Sequence, residues 1–156
     1  MQVPLHPMLV HFPIALLFAS VLFDVAGKTL SRDSLREGAC WLLGLGLAGG
    51  IASAIAGSLA EHAAEKAGVS EALIETHETL AYVTLGIMAV LFLFRLLFRN
   101  RFGTRAFWTY LVVAALGLVA VSATGHTGGS LVYQHGAGVT SAQHVSPEIA
   151  RIVRGD

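Results

Sequence analysis

Cysteine and charge are both scarce in this sequence, and each shortage excludes whole classes of protein. Cys40 is the only cysteine, which excludes an internal disulfide, a four-thiolate zinc or iron–sulfur site, and haem attached through a Cys-x-x-Cys-His motif. Charged residues make up 13% of the 156 residues and hydrophobic residues 54%, a balance unlike that of a soluble globular domain. Lys plus Arg and Asp plus Glu each number 10, so no basic excess favours nucleic acid as a partner.

Long apolar stretches are abundant instead. Four of them cover about residues 7–27, 39–60, 77–98 and 106–126, each close to the roughly 20 residues that a helix needs to cross the hydrocarbon core. Short polar connections make neighbouring helices antiparallel. The sequence therefore predicts an all-α integral membrane protein, an antiparallel four-helix bundle in contact with membrane lipid.

The C-terminal region is predicted to leave the membrane after the fourth span. The glycine pair Gly128-Gly129 is expected to end the last helix, so that residues 127–139 fold back as a cap over the outer face. Residues 1–139 then form the transmembrane domain, and residues 140–156 form a polar C-terminal tail.

Lys and Arg gather at one end of the predicted bundle. The basic residues in or beside the two connections at that end are Lys28, Arg32, Arg36, Arg95, Arg99, Arg101 and Arg105. Short loops rich in Lys and Arg stay on the cytoplasmic side of a membrane. The distribution predicts a multi-pass protein of a bacterial inner membrane with both termini in the periplasm.

Two features within the spans predict how the helices meet. Gly46, Gly50 and Ala54 follow one another at four-residue intervals along the second span, and small residues let helix backbones approach closely in lipid. This stripe predicts a central position for the second span, or alternatively a homodimer. Asp24 is an acid within the first span, and we expect it to pair with Lys28 one turn later.

Histidine placement is the main indication of function. Alternating helix directions bring six of the seven histidines to the outer face, namely His6, His11, His62, His77, His126 and His135. Two imidazoles on facing helices can hold haem iron from both sides. One or two haem b groups are favoured as the cofactor, because this haem needs no cysteine and its ring fits an apolar slot between helices.

Within this set, His11 and His77 are the expected axial ligands because they lie at similar depth in the first and third spans. Pro13 should bend the first span close to His11. His126 is a third candidate, and His6 and His135 would complete a second site or support the first.

A transition-metal ion is the alternative cofactor. Carboxylates accompany the outer histidines at Glu61, Glu65, Glu75 and Glu78. Mixed nitrogen and oxygen ligation by His11, His62, His77 and His126, with Glu78, would suit a Zn, Cu or Fe ion that is bound or transported. A second alternative is a non-catalytic membrane anchor subunit of a redox complex.

Two end motifs resemble those of a known family. Leu5 to Leu16 reads LHPMLVHFPIAL, and Gly128 to Val139 reads GGSLVYQHGAGV. The chain resembles, from Leu5 to about Val139, the predicted membrane proteins called domain of unknown function 2231. The matching histidines are His6, His11, His77 and His135, with His126 shared by part of the family.

The resemblance implies a four-span module. It also implies an association with redox proteins, because some relatives are joined to Rieske-type iron–sulfur or cytochrome c domains. The expected function is that of a membrane-bound b-type haem protein passing electrons at the periplasmic face. Its partner would be a periplasmic or membrane electron carrier, or a quinone. The protein would act as an electron-transfer component or as a component of an oxidoreductase.

Overall fold

The computed structural model describes residues 5–66, 68–98 and 103–137, and that part of the chain is helical without strands. Its helices in chain order are α1 (Leu5–Leu9), α2 (His11–Thr29), α3 (Asp33–Lys66), α4 (Glu71–Phe98) and α5 (Thr104–Tyr133). The first span consists of α1 and α2, which are interrupted at Val10 near the predicted bend. Four helices are long and apolar enough to cross a membrane, which confirms the all-α four-helix architecture.

α3, α4 and α5 all extend beyond their predicted spans at the end of the bundle that carries the histidines, hereafter the histidine end. α3 has 34 residues, so it is about 50 Å long, and it continues through the polar but helix-forming segment before Lys66. It ends where Gly68 adopts a φ of 88°, a conformation that glycine takes without steric cost. α4 then begins at Glu71, six residues before His77.

The prediction that the last helix ends at Gly128-Gly129 is wrong, because α5 continues to Tyr133. Residues 127–133 are therefore the last turns of α5 and not a cap that folds back. A glycine in a helix costs only about 1 kcal/mol, and continuing the helix keeps the backbone groups hydrogen-bonded. The turn comes at Gly136, with a φ of 71°, where the Ala137 amide donates to the Leu131 carbonyl at 2.9 Å. The predicted tail, residues 140–156, lies outside the described residues.

Small residues of α3 are used inside the bundle. A Cβ at Gly46 would lie 2.9 Å from Leu17 Cδ2 of α2, and one at Gly50 would lie 2.7 Å from Leu85 Cδ2 of α4. The glycines thus let two neighbouring helices approach α3 from different sides. The stripe is thus used for packing inside the bundle, where α3 contacts α2 on one side and α4 on the other.

The buried apolar core runs between these helices, with Leu17, Leu43, Met88, Leu91, Tyr110, Ala114 and Val121 at its centre. Large apolar side chains such as Trp41 and Leu59, with exposed fractions of 76% and 81%, lie on the outside of the bundle. That distribution suits a protein whose outer surface meets lipid instead of water.

Candidate functional site

Two imidazoles meet at the histidine end. His6 of α1 and His77 of α4 lie edge to face, with ring centroids 6.0 Å apart and ring planes at 87°. Both side chains are half-buried. The fold thus brings together two predicted ligands from distant parts of the chain.

The ring of His6 is oriented by α3. Its Nδ1 lies 2.7 Å from the carbonyl oxygen of Ser53, and a carbonyl can only accept. Nδ1 therefore carries the hydrogen and donates, which leaves the lone pair of the neutral ring on Nε2. Gly57 makes room for the ring, because a Cβ there would lie 3.1 Å from Nδ1 of His6. The small-residue stripe of α3 thus continues up to the site and seats this imidazole.

The ring of His77 is received by the last turns of α5. Its Nδ1 lies 3.0 Å from Oγ1 of Thr127, and the Thr127 hydroxyl donates to the carbonyl of Thr124 at 3.0 Å. A Cβ at Gly128 would lie only 2.9 Å from Cε1 of His77. Gly128 is thus helical and supplies space for a ring, which is a different use of glycine from the helix stop that its sequence context suggested.

His11 and His135 are placed differently from the half-buried pair. Both side chains are exposed, and each Nδ1 donates to a backbone carbonyl, that of Pro7 at 2.9 Å and that of Ser130 at 3.1 Å. Each neutral ring therefore also carries its lone pair on Nε2. His77 contacts His6 in this structure, whereas the sequence argument paired His77 with His11.

His62 and His126 are exposed on the ends of α3 and α5. His126 lines a cavity of about 150 Å³ between α4 and α5, together with Thr76 and Ser130. This cavity is smaller than the roughly 300 Å³ at which sites for drug-sized ligands begin, so it cannot hold a porphyrin.

Carboxylates are present at this end but do not complete a metal cage. Glu61 of α3 and Glu78 of α4 lie close enough for their charges to repel each other. Across residues 5–66, 68–98 and 103–137, no three His, Cys, Asp or Glu side chains converge as a metal-ion site would require.

A polar network that the sequence argument missed lies at the opposite end of the bundle, hereafter the arginine end. Asp24 of α2 is fully buried, and its Oδ1 accepts a hydrogen bond from Nη1 of Arg95 in α4. Its Oδ2 accepts from the hydroxyl of Tyr110 in α5 at 2.8 Å. Nη2 of Arg95 donates to the carbonyl of Arg36 in α3, so all four long helices meet here.

The predicted pairing of Asp24 with Lys28 is therefore wrong. The carboxylate points into the bundle toward Arg95, while Nζ of Lys28 lies 5.4 Å from the centroid of the Phe107 ring. One available signal was depth, because Asp24 and Arg95 both lie within about one and a half turns of the arginine end of their helices. An intramembrane acid usually pairs with a base at its own level.

Residues 2–141 match the model of a family described as predicted membrane protein, domain of unknown function 2231 (DUF2231). The chain belongs to this family. The match includes all four spans of this DUF2231 protein and both of its end motifs, which confirms the resemblance seen in the sequence. No curated protein and no solved structure matches the chain.

Proposed function

We propose that this DUF2231 protein is a membrane-bound b-type haem protein that passes electrons at its histidine end, where His6 and His77 would hold the haem. The supporting observation is the contact between these two half-buried rings, 6.0 Å apart between centroids. Two metal–nitrogen bonds of about 2 Å to one metal atom would place imidazole centroids between about 5 and 6.3 Å apart, depending on the angle between the bonds. The distance between the rings therefore suits two ligands of a single metal.

The number of ligands favours haem over a bare ion. A structural zinc ion takes four protein ligands and a catalytic one three, whereas a porphyrin supplies four nitrogens itself and leaves two positions for the protein. The described residues offer a pair of imidazoles and no convergent group of three.

The chain's own residues perform the positioning. The Ser53 carbonyl holds His6 with Nε2 as the ligating atom, and Gly57 lets the ring lie close to α3. A haem b held there supplies one-electron chemistry, with a potential set by its axial ligands and surroundings. The electron partner is a periplasmic or membrane carrier or a quinone.

The test is a reduced-minus-oxidised spectrum of the purified full-length protein after expression with added haem. We expect a b-type band at stoichiometric level. His6→Gln and His77→Gln should each lower haem occupancy by about 10-fold or more, while His62→Gln, a change at an exposed histidine, should leave it intact. The assignment would be refuted if the wild-type protein bound no haem. It would also be refuted if the three variants had equal haem occupancy.

The histidine end is proposed to face the periplasm of a bacterial inner membrane. Lys28, Arg32 and Arg105 are exposed at the other end, which the positive-inside rule places in the cytoplasm. Arg95, counted with them in the sequence argument, is buried against Asp24 and carries no weight here. A phosphatase fusion at the C-terminus should be active, and one in the connection between α4 and α5 inactive. The reverse pattern would contradict the orientation.

A divalent metal ion is the second candidate, favoured by one specific observation. Glu61 of α3 and Glu78 of α4 lie within electrostatic reach of each other at the end where His77 lies. Such mixed oxygen and nitrogen donors suit zinc or copper. Metal analysis of the purified protein, repeated on Glu78→Gln, separates this candidate from haem.

If neither haem nor a metal ion is bound, the remaining hypothesis is a non-catalytic anchor subunit of a redox complex. His77→Gln should then leave the redox partner active.

A further inference from the structure

We infer that Thr127 is a positioning residue that sets the tautomer of His77 and so makes Nε2 its ligating nitrogen. This inference rests on the proposed function, because it concerns the same pair of imidazoles. His6 owes its tautomer to a backbone carbonyl that no substitution removes. His77 also has a backbone partner, at Thr124, but unlike His6 it has a side-chain partner as well, the hydroxyl of Thr127, whose share in orienting the ring can be tested by mutation.

The direction of the hydrogen bond follows from the bonds around Thr127. A threonine hydroxyl has one hydrogen and two lone pairs. The hydroxyl of Thr127 gives its hydrogen to the Thr124 carbonyl at 3.0 Å, so toward Nδ1 of His77, also 3.0 Å away, it acts as acceptor. Nδ1 of His77 then carries the hydrogen, and the neutral ring keeps its lone pair on Nε2.

The surroundings make this bond consequential. His77 is half-buried, and the close approach of Gly128 to Cε1 restricts how the ring lies against α5. With His6 and His77 both in the Nδ1–H form, both Nε2 atoms offer lone pairs. A metal-bound histidine usually donates its other ring hydrogen to an oxygen in just this way, and loss of such a partner costs about 10- to 100-fold in metal affinity.

The test uses full-length protein labelled with ¹⁵N-histidine, in detergent, at a pH where the imidazoles are neutral. His77→Gln identifies the His77 resonances by their loss. Wild type should show His77 with a protonated Nδ1 and a pyridine-type Nε2. Thr127→Val should move the ring toward the other tautomer, whereas Thr127→Ser should restore the wild-type pattern. Thr109→Val, which removes an exposed hydroxyl bonded to a carbonyl four residues earlier in the same helix, is the matched control.

A wild-type His77 protonated on Nε2, or a Thr127→Val protein with an unchanged His77 spectrum, would overturn the role of Thr127. Haem titration of the same variants reports on the proposed function separately. We expect Thr127→Val to bind hemin about 10- to 100-fold more weakly than Thr127→Ser does. If wild type binds no hemin but the tautomer changes as stated, the proposed cofactor fails and the role of Thr127 stands.

Discussion

Removing the charge of Asp24 should destabilise the bundle by about 3–5 kcal/mol, the cost of leaving one partner of a buried ion pair without its counterpart. Asp24 and Arg95 have exposed fractions of 0% and 1%. Asp24→Asn keeps the size and one oxygen of the side chain, so the loss reports mainly on charge. Neutral interhelical hydrogen bonds in membranes average about 0.6 kcal/mol, well below the value expected here.

A double-mutant cycle separates the ion pair from general damage to packing. The cycle needs Asp24→Leu alone and Arg95→Met alone, and each should cost a similar amount, because each leaves one buried charge without its partner. The combination Asp24→Leu with Arg95→Met removes both charges and should recover most of the loss, since an apolar pair of similar volume often replaces a buried ion pair at little cost. Tyr110→Phe, which removes only the 2.8 Å bond to Oδ2 of Asp24, should cost about 1.5–3 kcal/mol.

Reversible unfolding by SDS in mixed micelles, followed by helical circular dichroism, measures these free energies. Two outcomes would refute the reasoning. One is an Asp24→Asn protein whose free energy of unfolding lies within about 0.5 kcal/mol of wild type, which is the change expected of an ordinary surface substitution. The other is a double variant as unstable as the sum of its single variants, which would mean that Asp24 and Arg95 do not stabilise each other.

Glycine substitutions give two further predictions with controls inside the chain. Gly128→Ala places a Cβ 2.9 Å from Cε1 of His77, so it should shift the ring and lower haem occupancy about 10-fold, whereas Gly129→Ala, which meets no atom within 4 Å, should not. Equal occupancy in both variants would show that the ring position does not govern binding. Gly46→Val crowds Leu17 and should cost about 1–3 kcal/mol in the SDS assay, whereas Gly86→Ala meets open space and should change stability by less than about 1 kcal/mol. Equal effects would contradict the close packing of α3 against α2 at Gly46.

The sequence predicted the spans and the gathering of histidines because both depend on quantities that it states directly. Span number follows from the length of apolar stretches, and the shared end of His6, His77 and His135 follows from the alternation of antiparallel helices. Neither inference requires the rotation of one helix against another.

The partner of His77 could not be predicted, because it depends on that rotation. His6 and His11 are five residues apart, which on a continuous helix places them about 140° apart, so they face different directions. Depth alone could not decide which of them faces α4, and the sequence argument took His11. In the structure His6 turns toward His77, and His11 is exposed.

The pairing of Asp24 failed for a related reason. Lys28 is near in sequence, and a spacing of four residues on a helix makes it the obvious local partner. Burial reverses the choice, because a carboxylate inside an apolar bundle needs a partner that is also inside. Arg95 satisfies that condition. The sequence argument counted Arg95 among the basic residues that orient the protein in the membrane, and so did not consider it as a partner for Asp24.

The two networks share no residue, and they lie at opposite ends of the helices that connect them. Free-energy changes at such separated sites usually add within about 0.5 kcal/mol. Asp24→Asn should therefore lower stability without changing the absorption band of the proposed haem in the fraction that remains folded. His77→Gln should remove the band while costing far less stability in the haem-free protein. A combined variant whose haem-free stability departs from the sum of the two by more than about 1 kcal/mol would show that the arginine end and the histidine end are mechanically coupled, and the ion pair would then belong to the function as well as to the fold.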